Sequence, residues 1–257
     1  MNYEILPNTY WEEQIQRMGD VLQKIRDRAQ SVVTGREVPE DEVLLLGTGR
    51  RLPMAVLFLD ICNFSSRPSA SAEEQALVVH TFNLFFTEMI RIAEDYGGTV
   101  EKNTGDGLMV YFEDGGGDPP EDGCKRAIAA AATMLHANEK AINPVLTSSG
   151  IAEINFRVGI DHGQVTIAEV GAARRFRSRV AIGSTANVAS KILEVAGPNE
   201  IVIGDQVYQR LPREWSQQLA HLHLLQTGWA YVKTGAPYAF YKFTGRWNTQ
   251  TQSRLNG

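Results

Sequence analysis

Strand-type and helix-type segments alternate along this chain of 257 residues, with one hairpin in the first half. Such an alternation favours an α/β (α+β) fold with a mixed sheet and helices packed on it, here predicted on one face of the sheet. Glycine-rich and polar stretches separate the segments and mark their ends. The predicted helices span 71–96, 124–140 and 184–195, and the predicted strands span 54–59, 98–103, 108–112, 154–160, 165–170, 200–203, 229–232 and 239–243.

A seam of apolar residues precedes these segments. Between positions 11 and 33, apolar side chains follow one another at alternating steps of four and three residues, which is typical of a coiled coil. The seam predicts an N-terminal helix, and the loss of periodicity after it predicts a connector that ends at residue 51. Two arrangements stay open: the helix packs on its own domain, or it packs against a second copy of the chain.

The charge and apolar content of the chain exclude some classes of function. A formal net charge of -5 argues against a dominant nucleic-acid-binding face. No apolar run has the length that spans a bilayer and the N-terminal residues lack an apolar signal core, so we predict a cytoplasmic protein with no integral membrane segment. The two cysteines, Cys62 and Cys124, are too few for a disulfide framework, which fits a reducing compartment.

An aspartate stands where the first predicted strand ends. In "AVLFLDICNFSS" five apolar residues lead directly to Asp60, and in "EKNTGDGLMVYF" the predicted hairpin has Asp106 at its tip. If the two strands lie side by side the carboxylates meet, and like charges held together need a cation between them. Carboxylate oxygens with few other ligands suit Mg²⁺ or Mn²⁺, which takes its remaining ligands from water and substrate phosphates. A solvated strand end or turn is the alternative interpretation of either residue.

Four segments together resemble the class III nucleotidyl cyclases. "FLDICNFS" and "EKNTGDGLMVYF" resemble the two metal motifs of that family, "FRVGIDHGQV" resembles its Arg-x-Gly-Ile-x-x-Gly strand pair, and "VAIGSTANVASKILEVA" resembles the segment with the transition-state asparagine. The resemblance implies a ferredoxin-like class III cyclase fold. It also implies three regions: an N-terminal helix and connector at 1–51, the cyclase catalytic domain at 52–245, and a C-terminal tail at 246–257.

The resemblance also implies roles for individual residues. Asp60 and Asp106 would bind two Mn²⁺ or Mg²⁺ ions per site, with the backbone carbonyl of Ile61 as a further ligand. Asn187 would orient the ribose, and Lys191 stands where the family has an arginine that stabilises the transition state. Lysine keeps the charge but lacks the bidentate geometry of a guanidinium. Because each site in the family draws on both subunits, the resemblance implies a homodimer with composite active sites.

The implied reaction is an attack of the ribose 3′-oxygen of a nucleoside triphosphate on its own α-phosphorus. This reaction forms a 3′,5′-cyclic nucleotide and releases pyrophosphate. In the segment "VKTGAP" a threonine stands between the predicted phosphate-binding lysine and the glycine that directly follows it in the family. The substrate-binding residues that the resemblance implies are Lys102, Val180, Lys233, Phe64 and Arg179.

Val180 stands where the family places an aspartate or threonine that reads the base. Valine neither donates nor accepts a hydrogen bond, so the amine of adenine would stay unpaired at a cost of about 1–3 kcal/mol. The carbonyls of uracil can instead accept from Lys102 or from an arginine of "RRFRSR". The pattern therefore favours UTP and cyclic UMP, as in the pyrimidine cyclase branch of the bacterial Pycsar anti-phage system, which this short chain also resembles.

Two other functions stay open. Backbone groups could read adenine in place of the missing side chain, which would make the protein an adenylate cyclase that forms cyclic AMP. A degenerate cyclase-like domain would bind the nucleotide as a sensor, without turnover. Loss of a metal aspartate or of Asn187 would favour the sensor, and the chain retains all three residues.

Overall fold

The structure is a computed structural model that describes residues 16, 19, 20, 23, 32–34, 48–103, 105–115, 122–173, 176–225 and 227–247. The chain divides into two compact units. The first comprises Met1–Leu52 with Thr166–Ile182, and the second comprises Pro53–Val165 with Gly183–Gly257. Residues 16, 19, 20 and 23 are helical, and the rest of the predicted helix over 11–31 lies outside the described residues.

The first unit contains two strand pairings. Strand β1 (Val32–Thr34) runs parallel to the first residues of β2 (Gly49–Ile61). The outer half of β5 (Phe156–Ala173) pairs antiparallel with β6 (Phe176–Ile182). The prediction that the N-terminal helix reaches residue 33 is wrong, because three consecutive β-branched residues at 32–34 form a strand.

The second unit contains a mixed sheet with the strand order β3–β4–β2–β5–β7–β9–β8, in which β2 and β4 are antiparallel and β5 and β7 are parallel. This architecture confirms the predicted fold class. The remaining elements are α1 (Ala72–Asp95), β3 (Thr99–Asn103), β4 (Gly107–Glu113), α2 (Gly123–Ala137), a π-helical turn (Asn138–Ile142), α3 (Asn143–Ser148), α4 (Ser184–Val195), β7 (Ile201–Gly204), α5 (Asp205–Arg210), α6 (Arg213–Leu219), β8 (Ala220–Leu222) and β9 (Phe240–Phe243).

Helix α1 begins at a reciprocal cap. The Ser71 hydroxyl accepts from the Glu74 N–H at 3.1 Å, and the Glu74 carboxylate accepts from the Ser71 N–H at 3.0 Å. Of the described helices, α1 has the length and apolar content that crossing a membrane requires, and 33% of its most apolar window is buried. Phe85 and Met89 on that helix belong to the hydrophobic core, so one face of α1 packs against the core. The cytoplasmic location stays a prediction.

The sheet carries helices on both faces. Ile201 and Ile203 of β7 belong to the main core with α1 and α2, whereas Val202 packs in a separate cluster with Ile192 of α4. Successive strand residues point to opposite faces, so α4 covers the face opposite α1. The prediction of helices on one face is therefore wrong. A continuous apolar run such as Ile201–Gly204 is typical of a strand covered on both sides.

Two predicted strand boundaries differ from the structure. The strands expected at 154–160 and 165–170 are one strand, β5, because the polar residues Asp161 and His162 between them are buried and hydrogen-bonded rather than in a turn. The strand expected at 229–232 is reduced to an isolated pairing of Ala230 with Pro237. Proline lacks the N–H that a longer ladder needs.

Candidate active site

The two predicted metal aspartates lie at the same end of the sheet, Asp60 near the end of β2 and Asp106 directly before β4. Asp60 is paired across β2 and β4 with Gly107, and the Ile61 N–H donates to the Asp106 carbonyl at 2.9 Å. Both aspartate side chains are partly exposed. Among the described residues, no three histidine, cysteine or acidic side chains lie close enough together to hold a metal ion. A pair of accessible carboxylates fits Mg²⁺ or Mn²⁺, which would take further ligands from backbone oxygens, water or phosphate.

Arg157 is a site residue that the sequence motifs did not predict. It lies on β5, the strand next to β2, and its Nε and Nη2 donate to one oxygen of Asp60 at 3.2 and 2.9 Å. Its Nη1 reaches the Glu194 carbonyl near the end of α4 at 3.4 Å. The guanidinium thus supplies a fixed positive charge against one of the two carboxylates. The signal for this contact was the arginine in "FRVGIDHGQV", on a strand that had to be known to neighbour β2.

The loop that follows Asp60 is held from both sides. The Cys62 N–H donates to the Asn155 carbonyl at 2.8 Å, and Asn63 adopts a left-handed φ of 54° before a short 3₁₀ turn. The Phe64 ring lies 4.2 Å from that of Phe82 on α1, measured between centroids. Asparagine tolerates this backbone region better than most residues. The packing of Phe64 fixes the loop, and its substrate contact stays a prediction.

Helix α4 presents Asn187 and Lys191 to solvent. The residues are four positions apart, so they lie on one face of the helix, and both are exposed. The helix lies against the β5 backbone at Gly159, where a Cβ would come within 2.6 Å of the Ala189 carbonyl oxygen. Among the contacts of the described residues, none joins Asn187 or Lys191 to Asp60 or Asp106. The structure places Asp60 and Asp106 at the same strand end and leaves Asn187 and Lys191 exposed on α4.

The strand pairings give the backbone positions of the predicted base-reading residues. Lys102 lies on β3 opposite Met109, next to a register shift after Val100, and Val180 is a half-buried residue of β6 opposite Ala168. The side chains of Lys102 and Arg179 lie outside the part that the structure describes. Their roles stay predictions.

Lys233 lies at the tip of a tight hairpin. The Gly235 N–H donates to the Tyr231 carbonyl at 2.8 Å, and Gly235 has a φ of 67°, a left-handed conformation that favours glycine. The Thr234 hydroxyl accepts from the Ala236 N–H at 3.2 Å. The additional threonine is therefore accommodated within the turn, and the lysine side chain is exposed.

A buried carboxyl lies on β5 outside the aspartate pair. Asp161 is 3% exposed and accepts from the Tyr238 hydroxyl at 2.5 Å. Burial raises the pKa of this carboxyl to about 7, and the charge of Asp205 adds to the rise, while the hydrogen bonds from Tyr238 and the His162 N–H oppose it. The folded protein therefore holds this proton more tightly than the unfolded chain does.

We expect Asp161 to make the protein less stable as the pH rises from about 4 to about 7. In this range the unfolded carboxyl has lost its proton and the folded one has not, so each step in pH favours unfolding. Asp161→Asn keeps an acceptor for Tyr238 and removes the titration. At pH 8 it should raise the free energy of unfolding by up to about 4 kcal/mol. Urea unfolding of both proteins at several pH values measures this, with the exposed Asp95→Asn as control. Parallel curves for wild type and Asp161→Asn would contradict the expectation.

Comparisons with known proteins match this chain to cyclases. The family model of the adenylate and guanylate cyclase catalytic domain matches residues 49–237. An adenylate cyclase of Anabaena cylindrica is 31% identical over 166 residues, which cover 63% of this chain and 30% of that protein. Adenylyl cyclase CyaB from P. aeruginosa has a TM-score of 0.62 at 25% identity and covers 78% of this chain and 97% of that chain. A class III adenylyl cyclase-like ATP-binding protein from Pseudomonas aeruginosa has a TM-score of 0.67 at 20% identity, and the match covers 80% of this chain and 45% of that chain.

A sheet that brings two aspartates to one strand end, inside a segment that the family model matches, defines the class of protein. The chain belongs to the adenylate and guanylate cyclase catalytic domain family, the class III cyclases. It spans about 30% of the length of the curated relatives it matches first. The predicted family is thereby confirmed, and the pyrimidine branch stays a prediction.

Proposed function

We propose that the protein is a nucleotidyl cyclase that converts UTP to cyclic UMP and pyrophosphate, as a second messenger in anti-phage defence. The observation that carries the cyclase proposal is the placement of Asp60 and Asp106 at the same end of the paired strands β2 and β4, with the Arg157 guanidinium on Asp60. The choice of UTP rests on Val180. The defence role rests on the resemblance to the pyrimidine cyclase branch.

The proposal gives a defined task to each of six site residues. Asp60 and Asp106, with the Ile61 carbonyl, would hold the Mn²⁺ or Mg²⁺ ions. When bound, such ions increase the nucleophilicity of the ribose oxygen and neutralise charge on the phosphates. Arg157 keeps the Asp60 carboxylate oriented through two N–H groups on one oxygen. Asn187 positions the ribose, and Lys191 supplies charge at the transferring phosphorus.

The two polar groups on α4 support a site shared between two chains. Asn187 and Lys191 are exposed, and no described contact leads from them to the aspartates of the same chain. A second copy that docks α4 against the end of β2 and β4 would complete the site. In a two-fold dimer such contacts occur twice, so two equivalent sites would form.

The direct test is an assay of the purified chain with Mn²⁺ and each of the four ribonucleoside triphosphates, in which the product is identified by mass spectrometry. We expect a cyclic nucleotide and pyrophosphate in equal amounts, with UTP turned over fastest. Binding of a triphosphate without any product would support the sensor instead.

A change at Val180 tests how the base is read. Val180→Asp adds an acceptor, so we expect turnover of ATP or CTP to rise relative to UTP by about tenfold to a hundredfold, if one buried hydrogen bond of roughly 1–3 kcal/mol forms in the transition state. The matched control is Ile182→Asp, which places the same charge two residues further along β6 on the same face. The measurement is kcat/KM for each triphosphate. An unchanged preference in Val180→Asp would show that other groups read the base.

An adenylate cyclase is the second candidate. The observation in its favour is the Anabaena cylindrica relative at 31% identity, a protein named adenylate cyclase. Under this alternative, backbone groups near Val180 accept from the adenine amine. Preferred turnover of ATP by the wild-type chain would establish it and would overturn the proposal for UTP.

A further inference from the structure

The hairpin that carries Lys233 is short and has little strand pairing to hold it. Residues 232–236 at its tip are all exposed. Below the tip, one isolated bridge joins Ala230 to Pro237. A two-stranded hairpin by itself is at best marginally stable in water. The position of Lys233 therefore depends on contacts that the hairpin makes with the rest of the second unit.

Two tyrosine hydroxyls join this hairpin to the elements below it. The Tyr231 hydroxyl donates to Oδ2 of Asp205, the first residue of α5, at 2.5 Å, and accepts from the Gln206 side chain at 2.9 Å. The Tyr238 hydroxyl donates to Oδ1 of the buried Asp161 on β5 at 2.5 Å. Hydrogen bonds from a hydroxyl to a carboxylate are short and strong, so each bond fixes one tyrosine side chain.

Tyr231 and Tyr238 lie side by side and keep their protons. Their ring centroids are 5.0 Å apart, with an angle of 54° between the ring planes. Burial and the hydrogen bond to Asp205 raise the pKa of Tyr231 to about 12, and burial and the charge of Asp161 raise the pKa of Tyr238 as well. Both hydroxyls therefore remain donors at neutral pH. Two fixed points on adjacent side chains define the direction of the hairpin as well as its position.

The bond between Tyr238 and Asp161 needs the space that Gly204 leaves. A Cβ at Gly204 would lie 2.3 Å from Asp161 Oδ1 and 2.5 Å from the Tyr238 hydroxyl oxygen. Gly204 has a φ of -77°, which residues with a side chain also adopt, so the glycine serves the close approach and not a special backbone conformation. The close contact of hydroxyl and carboxyl group therefore depends on the absence of a side chain at residue 204.

These two bonds bear on the charge at the tip of the hairpin. Lys233 is the predicted phosphate-binding residue, and a lysine on a held backbone loses less freedom on binding than one on a moving hairpin. We propose that Tyr231 and Tyr238 are positioning residues, whose bonds to the two carboxyl groups hold Lys233 where it meets the terminal phosphates of the nucleotide. This inference rests on the proposed function, in which the nucleotide is a triphosphate.

Cleavage by trypsin measures how firmly the hairpin is held. Trypsin cleaves after lysine, and a folded segment is cleaved from its locally opened state. Tyr231→Phe and Tyr238→Phe each lose a single hydroxyl, so cleavage after Lys233 should become about fivefold faster, while cleavage elsewhere in the full chain keeps its wild-type rate. Tyr96→Phe is the matched control, because it loses a hydroxyl contact of 2.9 Å with Thr133 and should leave cleavage after Lys233 unchanged.

A double-variant cycle shows whether the tyrosines act through the lysine. KM for the triphosphate that the wild type turns over fastest should rise about fivefold in each tyrosine variant, with kcat within about twofold of the wild type. In the Lys233→Met background, Tyr238→Phe should raise KM no further, because the ammonium group that it positions is no longer there. Tyr96→Phe should change KM in neither background.

The possible results separate this inference from the proposed function. Wild-type cleavage after Lys233 in both tyrosine variants overturns the inference, whether or not the chain is a cyclase. A rise in KM that is equal with and without the Lys233 ammonium overturns it too, and so does faster cleavage with an unchanged KM. If the wild type forms no cyclic nucleotide, the proposed function is wrong, and the same cycle is measured as the Kd for UTP by calorimetry. Absence of triphosphate binding by the wild type would overturn both.

Discussion

Asp60→Ala and Asp106→Ala should each abolish cyclase turnover while the fold survives. Without either carboxylate the metal ions lose a shared ligand, and we expect kcat to fall about a thousandfold or more, equivalent to roughly 4 kcal/mol of transition-state stabilisation. Both side chains are partly exposed, so their removal leaves no cavity in the core. Product formation from UTP and from ATP, measured with saturating Mn²⁺, tests the expectation.

Asp95→Ala is the matched control for both variants. Asp95 is an exposed aspartate at the end of α1 whose ion pair is with Arg91 at 3.0 Å. It should turn over nucleotide at the wild-type rate, and all three variants should unfold in one cooperative transition. Substantial cyclic product from either active-site variant would contradict the assignment of Asp60 and Asp106 as metal ligands.

Mixing two inactive variants should restore activity. Asp106→Ala lacks a metal ligand and Asn187→Ala lacks the ribose contact, so each homodimer is inactive if every site draws on both chains. Random pairing makes half of the dimers mixed, and each mixed dimer has one intact site out of two. We expect about a quarter of the wild-type activity from an equimolar mixture, compared with almost none from either variant alone.

Asp106→Ala mixed with Asp60→Ala is the control for this experiment. Both changes fall on the same half of the composite site, so mixing should restore nothing. A double variant that carries Asp106→Ala and Asn187→Ala on one chain damages both sites of a dimer with wild type, so in an equimolar mixture with wild type only the wild-type homodimers, about a quarter of the dimers, should be active. Absence of rescue in the first mixture, with dimers present by light scattering, would place all of the groups of a site within one chain.

The parts of the fold that were predictable are those with a local signal. Helix α1 was predicted from residue 71, which is its capping residue in the structure, and α4 was predicted at the residues where the structure has it. Asp60 and Asp106 were predictable as neighbours because each stands at the end of a clearly apolar strand. Short elements had no such signal. Helices α5 and α6 have six and seven residues, too few for a helical period to stand out.

Contacts that depend on strand order were not predictable. The Arg157 contact with Asp60 requires β5 to lie beside β2, although 97 residues separate the two side chains. The same holds for the hydrogen bond from Asn138 Nδ2 to the Ile154 carbonyl, which joins the π-helical turn to the segment before β5. A sequence pattern gives the chemistry of a side chain but not its partner, whenever the partner comes from a distant element.

Burial disfavours ionisation of the thiols of both cysteines. Burial raises the pKa of the Cys124 thiol far above its ordinary value and raises that of Cys62, whose N–H is held by Asn155. Because maleimides and disulfides react with the thiolate, both native thiols should react slowly. The natural chain can then serve directly as the background for site-specific labelling. A single cysteine introduced on the exposed face of α4 would then react with a fluorophore much faster than Cys62 and Cys124. Energy transfer between labelled chains would measure their assembly, and Cys62 would stay in the loop beside Asp60.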